Sequence, residues 1–151
     1  VAEAISGRQL AMSTTNGTRA LKACAGARRV WIGGFLNLSA LGQAIHESRP
    51  ERLLLVCAGT GEVEASEDVI GAGALCDLLW DDFGQSACDT ALIARDHYLN
   101  SCDQLYESIS QAKNAQRLLS IPDLADDVEF CLQRDAYPVV GEMRSNGWIS
   151  A

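Results

Sequence analysis

The run Leu53-Leu-Leu-Val-Cys57 most constrains the architecture, because five consecutive apolar residues are too few for a helix and are closed at once by Ala58-Gly-Thr-Gly61. Such a run, bounded by turn residues, predicts a strand buried on both faces, the pattern of a central strand in a parallel sheet. An acidic loop leads from it to Ser66-Glu-Asp, where a hydroxyl N-cap and two carboxylates in the first turn predict a helix reaching Trp80. Strand, glycine loop and helix are thereby joined in one short stretch.

The same unit is readable upstream. Arg8 to Thr14 reads as a strand, Ser13-Thr-Thr-Asn-Gly-Thr18 as a hydroxyl-rich turn and Arg19 to Ala25 as a helix. Arg29 to Gly33 reads as a second strand, followed by a helix that Ser39 caps and Pro50 ends. Downstream, a helical pattern covers Ser86 to about Ala112, with a turn near Asn114. Pro122-Asp123 opens another helix through about Arg134, and Tyr137 to Met143 reads as a last strand, at an edge because of Pro138. Alternating strands and helices predict an α/β fold, a mainly parallel sheet flanked by helices, in a single domain over residues 1–151.

Charge and composition narrow the function. A net charge of -8 repels polyanions, so nucleic acid is excluded as an expected partner, although a local nest of N–H groups or a divalent cation can still hold a small anion. The longest apolar run, Leu53 to Ala58, is far short of a membrane span, and no membrane partner is expected. Six cysteines without a Cys-x-x-Cys pair predict a reducing, cytoplasmic setting with neither zinc site nor disulfide framework.

Ligands of open parallel sheets sit beyond the strand ends. The turn from Ser13 to Thr18 offers hydroxyls, an amide and a glycine to an anion, beside its plainer reading as turn and helix cap. Gly59-Thr-Gly61 resembles a phosphate cradle, yet Glu64 takes the last glycine slot of a dinucleotide fingerprint and no Gly-Lys-Ser/Thr follows. Glu62, Glu64, Glu67 and Asp68 are oxygen ligands suited to Mg²⁺, while Glu67 and Asp68 are equally read as complements of the helix dipole. Gly71 and Gly73 inside the predicted helix each cost about 0.8–1.0 kcal/mol relative to Ala, which predicts close backbone approach to a neighbouring strand. Cys57 stands where a cysteine phosphatase places its nucleophile, but Val63 replaces the required Arg, and the residue reads as core. His46 and His97 have no partner at zincin spacing and read as surface or interhelical residues.

In chain order, Ser13-Thr-Thr-Asn-Gly-Thr-Arg-Ala20, Gly34-Phe-Leu-Asn37, Cys57-Ala-Gly-Thr-Gly61, Ser66-Glu-Asp-Val-Ile-Gly-Ala-Gly-Ala-Leu75 and Asp126 to Asp135 resemble segments of the 2-phosphosulfolactate phosphatase family of coenzyme M biosynthesis. The resemblance implies a Mg²⁺-dependent hydrolase acting on a small phosphorylated sulfonate or carboxylate. Carried over by residue, Asn16, Gly17, Thr18, Asn37 and Gly59 become substrate contacts. Glu67 and Asp68 become catalytic carboxylates that hold metal or position water. The family's late loop carries Ser, a variable residue, Gly and a basic residue before Leu, whereas Lys113-Asn-Ala-Gln-Arg-Leu118 puts Lys113 and Ala115 at the Ser and Gly slots. Members also begin with a further portion bearing an Asp-Val-Leu-Arg-Ala-Ser/Thr segment. The chain is therefore expected to form the C-terminal portion of a longer phosphatase, to be inactive alone, and to self-associate as a homo-oligomer. The competing expectation is a non-catalytic relative serving as an anion-binding or assembly module.

Overall fold

The computed structural model describes residues 5–151. Helices supply most of its regular structure, and apolar residues three and four apart decide which faces turn inward. Helix α1 spans Gly17–Ala23, and α2, Leu38–Ser48, buries Leu38, Leu41 and Ile45. Helix α3, Ser66–Leu78, adds Ile70, Ala74 and Leu75 to the same core, and the short α4, Trp80–Phe83, follows it. Then come α5, Asp89–Leu99, α6, Leu105–Ser110, α7, Lys113–Leu119, and α8, Ala125–Leu132, contributing Tyr98, Ile109, Ala115 and Val128. No helix among the described residues is long and apolar enough to cross a membrane.

The tightest approach is between α3 and α5. A Cβ at Gly73 would stand 2.0 Å from the Ala94 carbonyl oxygen and 2.9 Å from the Tyr98 Cβ. The glycine expected to face a strand thus faces a helix. Gly71 has no such requirement, its nearest neighbour being the Phe35 ring at 4.0 Å.

The expected mainly parallel sheet is overturned. The described residues form a small antiparallel sheet in the order β1-β2-β3, with β1 Trp31–Ile32, β2 Gly141–Met143 and β3 Ile149–Ser150. Trp31 pairs with Glu142, and Met143 with Ile149. The Arg29 guanidinium grips both carboxylate oxygens of Glu142 at 2.8 and 2.9 Å, fastening β1 to β2. The strand expected within Tyr137 to Met143 is β2, which lies centrally rather than at an edge, and Pro138 precedes it, so no ladder bond is lost there.

Leu53–Cys57 joins no ladder among the described residues. Leu53 and Leu55 pack on the core, while Leu54 is 82% exposed and Val56 49% exposed. Arg8–Thr14 is likewise unpaired, with Met12 82% exposed. An apolar run specifies which side chains favour burial, but a ladder needs a second backbone edge about 4.8 Å away, and no described segment provides it.

Two expected caps also move. Asn37 and Ala65, not Ser39 and Ser66, occupy the N-cap positions of α2 and α3. Ser39 instead gives its N–H and its hydroxyl to the two carboxylate oxygens of Asp135, each at 2.6 Å, so a residue 96 positions later caps α2. Those bonds, the hydroxyl's first, hold the Asp135 carboxyl below its ordinary range. A carboxylate depressed on folding contributes stability above its unfolded value, near pH 4, and loses it as pH falls through the lower folded value. Asp135→Asn, which tolerates the left-handed φ of 59° at this position, is expected to cost about 1 kcal/mol at pH 7. Urea melts at pH 7 and at acid pH check this: the gap from wild type should close in acid, and a gap independent of pH would refute the charged cap.

Candidate functional site

The Gly loop turns at Gly59 and Gly61, whose φ values of 69° and 66° lie in the left-handed region. At Gly59 a Cβ would also meet the Val63 carbonyl oxygen at 2.7 Å, so glycine is required twice over. The loop is fastened on two sides. Gly59 N–H donates to Asp68 Oδ2 at 2.7 Å in the first turn of α3, and the Gly59 carbonyl accepts a bond from Asn16 Nδ2 in the turn preceding α1. Asn16 Oδ1 is buried without a hydrogen-bond partner among the described residues.

These elements enclose a cavity of about 320 Å³, lined by residues 14–17, residues 58–60, Glu67, Asp68, Asn114 and Arg117. Asn16, Gly17, Gly59, Glu67 and Asp68, singled out from the sequence, therefore meet at one place. Thr18 and Asn37 do not line it. Thr18 closes the turn on itself, its N–H reaching Thr14 Oγ1 at 3.1 Å and its hydroxyl the Thr14 carbonyl at 2.8 Å. Asn37 ties β1 to the segment before β2: its Oδ1 accepts the Gly34 N–H at 3.0 Å, and its Nδ2 donates to the carbonyls of Ile32 and Val139 at 3.2 and 2.9 Å. Glu62 and Glu64 are exposed and outside the cavity.

Two lining residues were not assigned from the sequence. Asn114 Nδ2 donates to Glu67 Oε1 and to Thr60 Oγ1, joining α7 to α3 and to the Gly loop. Arg117 is the cationic residue among those lining the cavity. Their three-residue spacing, which puts both on one helix face, was the available signal, but the altered late loop drew attention to Lys113 and Ala115 instead.

The site's chemistry is that of two carboxylates, one guanidinium, amides and backbone N–H groups. Cys57 is exposed rather than core, and partial burial, reinforced by Asp68, pushes its thiol pKa up, which disfavours the nucleophilic thiolate. The histidines lie elsewhere: His46 Nδ1 meets Asp82 Oδ2 at 2.7 Å, and His97 Nε2 meets Ser66 Oγ at 3.2 Å. A larger cavity of about 540 Å³, among Leu105, Tyr106, Glu129, Leu132 and Gln133, offers one carboxylate and no cation, so the smaller one is the better chemical site.

Among the described residues no three His, Cys, Asp or Glu side chains stand close enough to share a metal ion. Glu67 and Asp68 nevertheless suit Mg²⁺, which usually takes one or two carboxylates and keeps water and substrate oxygens in its remaining positions. Each carboxylate has one oxygen held by a protein donor, Asn114 for Glu67 and the Gly59 N–H for Asp68, leaving its other oxygen without a protein donor among the described residues.

A family model described as 2-phosphosulpholactate phosphatase matches residues 1–146. Among relatives named "Probable 2-phosphosulfolactate phosphatase", that of Prochlorococcus marinus (strain MIT 9313) is 34% identical over 148 residues, covering 93% of this chain and 59% of the relative. That of Caldicellulosiruptor saccharolyticus is 32% identical, covering 95% and 61%, and that of Thermotoga maritima 34% identical, covering 91% and 58%. The chain thus spans about three fifths of the length of these relatives.

Proposed function

Because the chain belongs to the 2-phosphosulpholactate phosphatase family, we propose that the 320 Å³ cavity binds the phosphate of 2-phosphosulfolactate or a similar phosphorylated 2-hydroxy acid for hydrolysis to the hydroxy acid and phosphate. The observation carrying this reading is the convergence of Asn16, Gly59, Glu67 and Asp68, from three separate parts of the chain, on one cavity. In the reaction a water oxygen bonds to phosphorus as the P–O ester bond breaks, and one of the water's protons ends on the leaving alkoxide while the other stays with the phosphate.

The residues divide the work. Asn16 fixes the Gly loop, and Gly59, whose N–H is held by Asp68 and whose carbonyl is held by Asn16, permits the left-handed turn that shapes this wall of the cavity. Glu67 and Asp68, each clamped through one oxygen, would hold Mg²⁺ through the other and so place the attacking water. Bound there, Mg²⁺ supplies charge neutralisation at the phosphoryl oxygens. No cysteine or aspartate nucleophile is needed, consistent with the raised Cys57 thiol. A reducing, cytoplasmic setting is part of the same reading and rests on the cysteine pattern of the sequence, six cysteines without a Cys-x-x-Cys pair.

The test uses the longest natural polypeptide that carries these 151 residues, assayed for phosphate release from 2-phosphosulfolactate. Release with Mg²⁺ and its loss in excess EDTA are expected. Undiminished turnover in EDTA would remove the metal from the mechanism, and no release from any phosphorylated 2-hydroxy acid would favour the non-catalytic anion-binding module.

A further inference from the structure

Helix α7 reaches the cavity with one face only. Ala115 is buried and Leu118 and Leu119 pack against the core, which fixes the rotation of the helix and leaves Asn114 and Arg117, three residues apart, on the cavity wall. An asparagine amide has two N–H donors, and both of those on Asn114 are spent, on Glu67 Oε1 and Thr60 Oγ1. Asn114 therefore has no N–H left for a ligand. Its geometry is that of a brace across α7, the Gly loop and α3. Arg117 is the reverse case: it is exposed, lines the cavity, and makes no ion pair among the described residues. An unengaged guanidinium presents a planar fork matched to two oxygens of one phosphate.

Resting on the phosphate-site reading above, we propose that this face of α7 is the phosphate-receiving wall of the cavity, with Arg117 as the contact and Asn114 as the positioning residue that sets both Arg117 and Glu67. The electrostatics require such a contact. Glu67 and Asp68 repel a dianion, and Arg117 is the cationic side chain in the lining that offsets them. The ligand class is a phosphomonoester dianion, for which inorganic phosphate is the simplest probe.

The experiment titrates the longest natural polypeptide that carries these residues with inorganic phosphate by calorimetry and, separately, with Mn²⁺ followed by electron paramagnetic resonance, with a thermal melt for every variant. Arg117→Ala is expected to weaken phosphate at least about tenfold, a loss of about 1.4 kcal/mol, while leaving Mn²⁺ binding as in wild type. Arg117→Lys should restore only part of the phosphate affinity. Asn114→Ala should weaken both probes with a melt that stays cooperative, and Asn114→Asp, of equal size but without the donors, also weakens phosphate and guards against a packing effect. Wild-type phosphate affinity in Arg117→Ala would overturn the proposal while leaving the cavity reading intact. Unchanged Mn²⁺ binding in Asn114→Ala would overturn its positioning of Glu67. A wild-type chain that bound neither probe would sink the cavity reading itself and the proposal with it.

Discussion

Asp68→Asn in the longest natural polypeptide that carries these residues is expected to lower kcat/KM for the proposed phosphate-ester hydrolysis at least about tenfold, roughly 1.4 kcal/mol of transition-state stabilisation. The substitution is informative because an asparagine oxygen can still accept the Gly59 N–H that Asp68 Oδ2 accepts at 2.7 Å. The Gly loop keeps its fastening and only the charge leaves. Loss of a carboxylate from the first turn of α3 costs about 0.3–1 kcal/mol of stability through the helix dipole, too little to unfold a domain. A large fall in rate with a cooperative melt would therefore report on chemistry. Full activity in the variant would return Asp68 and, by the same logic, Glu67 to the role of dipole complements.

The second large effect is one of packing. Gly73→Ala gains about 0.8–1.0 kcal/mol of helix propensity, yet its methyl group must enter a space 2.0 Å from a backbone oxygen of Ala94. A backbone atom cannot rotate aside as a side chain can, so α3 and α5 must separate, at a cost of about 1–3 kcal/mol or more in overpacking. Gly71→Ala is the matched control, on the same helix with its nearest neighbour at 4.0 Å, and should be neutral or stabilising. Urea unfolding of the two variants beside wild type decides the matter: equal shifts at both positions would show that helix propensity, not the α3–α5 contact, sets the value.

Much of the site was legible because its signals are local. Gly59 needs a left-handed φ, Glu67 and Asp68 are carboxylates in a first helical turn, and Asn16-Gly17 is a turn ahead of a helix; each is a property of a few adjacent residues. Helix periodicity is local in the same way, which is why α2, α3 and α8 lie close to where the pattern placed them, shifted mainly at their caps. Ser39 and Ser66 misled for a non-local reason: Asp135 and His97, distant in sequence, hold their hydroxyls.

What the chain determined alone, then, was which residues could serve an anion and which segments prefer helix, because φ preferences, charge and the 3.6-residue period act within one or two turns. What only the tertiary structure decided was partnership. The run Leu53–Cys57 states its burial preference in its side chains but not which backbone edge will pair with it, and its exposed Leu54 and Val56 show preference and pairing to be separate facts. The same holds for Asn37, drawn into bracing β1 against the segment before β2, and for Asn114 and Arg117, brought to the cavity by a helix whose rotation is set by the residues it buries. Contacts between residues fifty or a hundred positions apart depend on how helices pack, and packing is a property of the assembled core rather than of any single stretch of sequence.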